Sequence, residues 1–238
     1  MWIADSRGMC FGNDIDCEGC MHYVISDIHN DNKRFCEMLE LIHFSKEDRL
    51  FVLGDVFDRS NHNPNPVDLY FNILSLGDGC SMIRGNHDHL LAFYIMEYFD
   101  LPERKLKKKT PYPYNSFRLL QKRLTPVDIQ NLAKSILEWP VQQMVEVAGE
   151  KYLFAHATTA APQDPKPENY YLQGISHNAF YLHCGIEGYI SICGHNNTED
   201  GRIWKNSQEN VFMIDCGCGF NSGRLGCLCL ETKEEFYV

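Results

Sequence analysis

The sequence predicts an α/β fold in which two packed β-sheets are flanked by helices. Three observations predict it: a βαβαβ order over residues 22–84, a stretch from about 89 to 139 that reads as helices only, and a β-rich remainder. His22-Tyr23-Val24-Ile25 is a short β-branched and aromatic run closed by the Ser26-Asp27 turn, the mark of a buried strand. Phe35, Met38, Leu39 and Ile42 recur at helical spacing and carry a helix to about residue 43. Residues 49–53 form the second strand, broken at Gly54. Residues 66–76 are helical, with Pro66 suited to the first turn and Gly77 to the stop. Residues 81–84 make the third strand, and this order favours parallel pairing through right-handed crossovers. Within the helical stretch, Thr125-Pro126-Val127-Asp128 reads as a capping-box-like start with Asp in place of Glu or Gln, and Pro140 ends that helix. Strands are expected at 141–147, 152–155, 189–193, 211–215 and 225–230. No repeat or dividing linker interrupts them, so 21–238 reads as one domain with a helical insertion at about 89–139, preceded by an extension over 1–20.

Composition narrows the function classes. The 238 residues carry a formal net charge of −10, which argues against general binding to nucleic acid or an anionic membrane. No apolar run approaches the roughly 20 residues that span a bilayer. Residues 1–20 contain Asp5, Asp14, Asp16 and Glu18 and no apolar core, so a signal peptide is not expected and a cytoplasmic location is. The 11 cysteines are odd in number and scattered, in keeping with reduced thiols, and most lie in apolar stretches as small buried hydrophobes. Cys17-x-x-Cys20 resembles half of a structural zinc site, yet no second half follows, so Cys10, Cys17 and Cys20 are expected to be incidental.

The chemistry is concentrated in short polar words at strand ends. These are Asp27-Ile28-His29, Gly54-Asp55-Val56-Phe57-Asp58-Arg59, Arg84-Gly85-Asn86-His87-Asp88, Ala155-His156-Ala157 and Gly194-His195-Asn196-Asn197. The 28 positions from Asp27 to Asp55 and the 31 from Asp55 to Asn86 match a strand, a helix and their turns. Each word can therefore sit at the carboxyl end of a strand and face one crevice. Asp carboxylates, an Asn carbonyl and several imidazoles suit a pair of divalent first-row metals, with Asp27, His29, Asp55, Asn86, His156 and His195 as candidate ligands. Such a pair clamps a phosphoryl group and generates hydroxide at neutral pH from bound water. His87, beside Asn86, is then the candidate general acid, and Asp58, three residues after Asp55, orients it. Arg59 and Arg84 are candidate forks for phosphate oxygens. No cysteine lies in a phosphate-cradling loop, so direct attack by water on a phosphomonoester is the expected reaction.

These words, with His156 and His195, resemble the phosphoprotein phosphatase branch of the calcineurin-like metallophosphoesterases, over residues 21–238. The likeness is strongest to small bacterial members, which include serine/threonine protein phosphatases and symmetrical diadenosine tetraphosphate hydrolases; Asp88, where eukaryotic enzymes carry Glu, points the same way. The resemblance implies a four-layer αββα sandwich, two mixed sheets flanked by helices, and a dinuclear centre often filled by manganese, with iron, zinc, nickel or magnesium as alternatives. It implies that Asp27, His29 and Asp55 hold one metal and Asp55, Asn86, His156 and His195 the other. Ser26, Asn30, Ser60 and Thr158 replace glycines of the family pattern without removing a ligand.

The substrate class expected first is a phosphoprotein or other phosphomonoester, with a dinucleoside polyphosphate as the alternative. A phosphodiesterase is disfavoured because Asn197 stands where that branch carries a second His, and a non-catalytic scaffold is disfavoured because no ligand is lost. Arg104-Lys105-Leu106-Lys107-Lys108-Lys109 is expected to be a solvated turn, or else a docking patch for an acidic substrate. Tyr112, Tyr114 and Phe117 are expected to pack helices, with stacking on a base as the functional alternative.

Overall fold

A computed structural model describes residues 3–4, 9–11, 19–59, 63–174 and 179–238, with side chains from residue 19 onward except at 179 and 180. The chain opens with strands β1 (Ile3–Ala4) and β2 (Met9–Phe11), then alternates β3 (His22–Ile25), α1 (Asn32–Leu41), β4 (Arg49–Val52), α2 (Pro66–Ser75) and β5 (Cys80–Met82). Four helices follow: α3 (Asn86–Asp100), α4 (Glu103–Leu106), α5 (Ser116–Gln121) and α6 (Pro126–Glu138). The rest is β6 (Gln142–Val147), β7 (Glu150–Ala155), α7 (Glu168–Gln173), α8 (Ala179–Cys184), β8 (Ile190–Cys193), β9 (Trp204–Lys205), β10 (Val211–Met213), β11 (Gly226–Cys229) and β12 (Glu235–Tyr237).

The expected βαβαβ unit is present, with β3, β4 and β5 parallel. The helix starts follow their local chemistry. Asp31 caps α1 by accepting from Arg34 N–H, Asn65 caps α2 ahead of Pro66, and Thr125 and Asp128 form the reciprocal box at α6.

Two mixed sheets result. The smaller runs β12-β11-β3-β4-β5 and the larger β1-β2-β6-β7-β8-β10-β9. Residues Met9–Phe11, within the expected extension, pair in parallel with β6 and so lengthen the larger sheet. Period-two alternation along each strand decides which layer a side chain joins. Tyr23, Ile25, Leu50 and Val52 face outward and pack with Phe35, Met38, Leu69, Leu91, Ile129 and Leu132 of the helices. Their neighbours Val24, Phe51 and Leu53 face inward and meet Tyr152, Phe154, Ile192 and Phe212 of the larger sheet. Phe51 and Phe154 touch across that middle layer at a ring separation of 4.9 Å. Full burial of a side chain of this size contributes about 1.5–3 kcal/mol. On the far face, Tyr171 of α7 covers Ala155 and Ala160. Helix, sheet, sheet, helix is the four-layer order, and the polar words fall at the carboxyl ends of strands from both sheets.

Candidate metal centre and its acid–base pair

The first two words run side by side beyond the ends of β3 and β4. Asp27 N–H donates to the Gly54 carbonyl (3.0 Å), His29 N–H to Asp55 (3.0 Å) and Asn30 N–H to Val56 (2.7 Å). The turns that do this are left-handed. Asp27, His29, Asn30, Asp55, Asp58, Arg59 and His195 all have φ between 51° and 71°. Backbone in this region is costly for residues other than glycine, and it persists where the surroundings dictate it. The effect is to aim three carboxylates and two imidazoles into one crevice.

Asp27, His29 and Asp55 form one group of close donor atoms, and Asp55, His156 and His195 a second that shares Asp55. His29 Nδ1–H donates to the Phe57 carbonyl (3.1 Å), leaving Nε2 3.7 Å from Asp27 Oδ1 and 4.0 Å from Asp55 Oδ2. His156 Nδ1–H likewise donates to Leu53 (2.8 Å), so its Nε2 turns to Asn86 Oδ1 at 2.9 Å and Asp55 Oδ1 at 3.4 Å. A carbonyl partner on one ring nitrogen fixes the tautomer that leaves the other as a lone-pair donor. His195 Nδ1 lies 2.9 Å from the same Asn86 oxygen. Asn86 thus closes the second group.

Burial and charge set the electrostatics. Burial pushes His29 down to about 4, and burial with the neighbouring His156 does the same to His195. Burial works against charge on His156, but the Asp55 and Asp27 carboxylates outweigh it and hold the ring up at about 10. Burial also opposes charge on Asp55, yet His156 and the other imidazoles keep its carboxyl well below the usual range.

A divalent ion fits this donor set on the structure's own terms. Asp27 Oδ1 and His29 Nε2 are buried without a hydrogen-bond partner although they face each other. Orphaned buried atoms of this kind are costly unless something else binds them. Carboxylate, amide oxygen and imidazole are also the ligands that hard-to-borderline cations take.

The candidate acid–base pair adjoins. His87 N–H donates to Asp55 Oδ1 (2.9 Å), which ties the pair to the carboxylate shared by the two donor groups. Its Nδ1 lies 3.3 Å from Asp58 Oδ2, and the ring stacks edge-on with His29 and with Tyr114. Tyr112 O–H donates to that same Asp58 oxygen. Ser116 Oγ accepts from Asp58 N–H (2.8 Å) and from the Asn30 amide (2.9 Å), so the helical insertion holds the Asp58 turn from above.

The two arginines part ways. Arg59 is half-buried, its guanidinium 5.8 Å over the Phe220 ring, and it lies close enough to lower the charge on His29 and His195. Arg84 is engaged elsewhere: it donates to the Leu137 carbonyl (2.8 Å) and pairs with Glu168 (3.0 Å). These two bonds leave its Nε–H buried without a hydrogen-bond partner. Of the cysteines weighed with the extension, Cys17 and the side chain of Cys10 lie outside the described residues, as does Ser60.

Several residues with work at the site had no role assigned from sequence. Asp88 is fully buried and accepts from Val56, Phe57 and Gly85 N–H groups, pinning the second and third words together. A Cβ on Gly85 would lie 2.3 Å from Asp55 Oδ1, and one on Gly194 2.2 Å from Asp27 Oδ2. Asp215, after β10, is buried beside Asp27, and burial raises its carboxyl well above the usual range. The glycines inside the words were a readable signal; nothing local marks Asp215. Two departures from the family pattern also find a purpose. Ser26 Oγ–H donates to Asp27 Oδ2 (2.6 Å), and Asn30 braces Ser116.

The calcineurin-like phosphoesterase family matches residues 23–211. Among curated relatives, a protein of Nitrosomonas europaea named symmetrical bis(5'-nucleosyl)-tetraphosphatase is 40% identical over 72 residues, 29% of this chain and 26% of its own length. One of the same name from Vibrio parahaemolyticus is 27% identical over 137 residues, 57% of this chain and 43% of its own. The chain therefore spans less than half the length of these two relatives. A solved structure provisionally named a diadenosine tetraphosphatase overlays with a TM-score of 0.66 at 14% identity, covering 92% of each chain, a likeness of fold.

Proposed function

The chain belongs to the calcineurin-like phosphoesterase family, and on that premise we propose that it is a metal-dependent hydrolase of terminal or bridging phosphoryl groups. One observation carries the reading: Asp55 is shared by two donor groups, buried at every member but His195, and a histidine–carboxylate pair is bonded to it. Asp27, His29 and Asp55 would hold one divalent ion, and Asp55, Asn86, His156 and His195 the second. When bound, such ions supply positive charge for the phosphoryl oxygens and acidify water. The chain's own groups do the remainder. Asp58 orients His87 through Nδ1, so that Nε2 is presented as the proton donor to the leaving oxygen. Arg59 approaches from the Phe220 side to bind a nonbridging oxygen.

For the substrate, the relatives' names favour a dinucleoside tetraphosphate, cut symmetrically into two nucleoside diphosphates, over the phosphoprotein expected first from sequence. The same centre serves both, since each presents an anionic phosphoryl group beside a leaving oxygen, doubly charged in the monoester and singly charged at the internal phosphate of the dinucleotide. The test is a panel assay on manganese-reconstituted protein: diadenosine tetraphosphate, a phosphoserine peptide, p-nitrophenyl phosphate and its bis ester. Release of ADP as the sole nucleotide product, with a catalytic efficiency above that on the peptide, is expected. Preference for the peptide would restore the phosphoprotein reading, and preference for the bis ester would replace both with a phosphodiesterase.

A further inference from the structure

We propose that the aromatic pocket formed by α3 and the segment through α5 seats the base of the leaving nucleotide. The proposal rests on the dinucleoside polyphosphate reading above. The pocket has a volume of about 380 Å³, and its walls include Tyr94, Tyr98, Tyr112 and Tyr114, with Lys109 and Arg118 among them. Pockets of this order are the size that buries a nucleoside.

Position makes the assignment. Tyr112 and Tyr114, two walls of the pocket, are also the two tyrosines that hold the acid–base pair. Tyr112 O–H donates to Asp58, and the Tyr114 ring lies 4.7 Å from the His87 ring. His87 protonates the oxygen that leaves, so the group attached to that oxygen departs on the side where these tyrosines stand. A nucleoside diphosphate leaving there carries its base toward the pocket.

The walls suit a base. Tyr94 and Tyr98 stack on each other (6.2 Å between ring centroids, 27° between planes) and Tyr112 lies 4.9 Å from Tyr94, so the wall is a run of packed aromatic rings. Stacking on aromatic rings tolerates any base, because each offers a π-face. The rim adds a guanidinium plane that can lie over the open face of the base. Lys109 Nζ sits 4.5 Å over the Tyr94 ring, paired with Glu97, and Arg118 is exposed at the rim. A phosphoserine side chain brings no flat ring to this place and would leave the pocket idle.

The experiment measures inhibition of p-nitrophenyl phosphate hydrolysis by ADP and by inorganic pyrophosphate in the manganese-loaded enzyme. ADP is expected to bind about five- to hundredfold more tightly than pyrophosphate, the range that stacking on one base supplies. Tyr98→Leu and Arg118→Ala should each shrink that ratio while p-nitrophenyl phosphate turnover stays at the wild-type value. Arg118 is exposed, so its variant carries the test should Tyr98→Leu fail to fold. A wild-type ratio near one, or a ratio unchanged in both folded variants, overturns the subsite. The substrate reading fails separately. A strong, variant-sensitive ADP preference in an enzyme that leaves diadenosine tetraphosphate intact supports the subsite and rejects that substrate.

Discussion

Gly194→Ala should disable the candidate centre while leaving the fold standing. Gly194 follows β8, and a Cβ there would lie 2.0 Å from Ser26 Oγ, 2.8 Å from Ser26 Cβ and 2.2 Å from Asp27 Oδ2, where ordinary contact begins near 3.4 Å. Ser26 has no cheap way out. Its single hydroxyl proton goes to Asp27 Oδ2 (2.6 Å), with the Leu53 carbonyl at 3.3 Å as the weaker alternative, and rotation would surrender this contact while its Cβ stayed in the way. The strain must pass to the Asp27 carboxylate or to the backbone that carries His195. Overpacking of this kind costs about 1–3 kcal/mol of stability. The displacement matters more. A misplacement of about 1 Å at a reacting centre costs roughly 10²-fold in rate, and a disturbed ligand environment weakens metal affinity about 10–100-fold. The assay follows p-nitrophenyl phosphate turnover across a manganese titration, with elemental analysis of the loaded protein. Gly149→Ala is the control: φ is +78° there, yet nothing lies within 4 Å of the added Cβ. It should lose stability alone. A Gly194→Ala protein with wild-type manganese affinity and turnover would refute the reasoning.

His87→Asn should cost about 10²–10⁴ in turnover on an alkyl phosphate such as phosphoserine and much less on p-nitrophenyl phosphate, whose leaving oxygen hardly needs a proton; equal losses on both would reassign His87 to assembling the centre through its bond to Asp55. Chelation should lower the melting temperature, because Asp27 Oδ1 and His29 Nε2 lose the charge their placement demands, and manganese at about a hundredfold its dissociation constant should restore about 2.7 kcal/mol; calorimetry without any shift would argue against an ion at this site. Glu231 is bonded by the His22 ring (2.6 Å) and backbone N–H (3.0 Å), which outweigh burial and hold its carboxyl below the usual range. A depressed folded value adds stability above the unfolded one, about 4.3, and that stability is lost as pH falls through the folded value. Glu231→Gln should therefore be less stable at pH 7 and show a flatter acid limb in urea midpoints, and parallel limbs would contradict the account.

The early elements were legible because their signals are local. The run His22–Ile25, the helical spacing of Phe35, Met38 and Ile42, and the Thr125-x-x-Asp128 start each state their structure within a few residues, and the structure follows them. The short late elements were not. Glu235–Tyr237 has three residues and no alternation to read, and Trp204–Lys205 is a strand only because Phe212 and Met213 pair with it. The site divides the same way. Its six donor residues were visible as words, but what holds them depends on distant neighbours. Asp88 matters through Val56 and Phe57, Tyr112 through Asp58, and Gly194 through Ser26 and Asp27. Arg84 shows the limit most plainly. Beside Asn86 it reads as a phosphate ligand, and only the packing of α7 reveals Glu168 as its partner.

The return of β11 to the smaller sheet has a consequence for synthesis. β11 pairs Cys227 with Ile25, Leu228 with Val24 and Cys229 with Tyr23, and β12 then forms the outer rim. Until that late segment is made, one side of β3 has no pairing strand. At about 5–20 residues per second the wait is roughly 10–40 s. A nascent chain in that interval displays unsatisfied N–H and C=O groups on a short apolar strand, the kind of edge that recruits another chain. Stalled or C-terminally clipped copies should therefore associate through β3. Among the described residues the sheet ends on that side at Glu235-Phe236-Tyr237, where an acidic side chain on the rim strand discourages a further strand from joining.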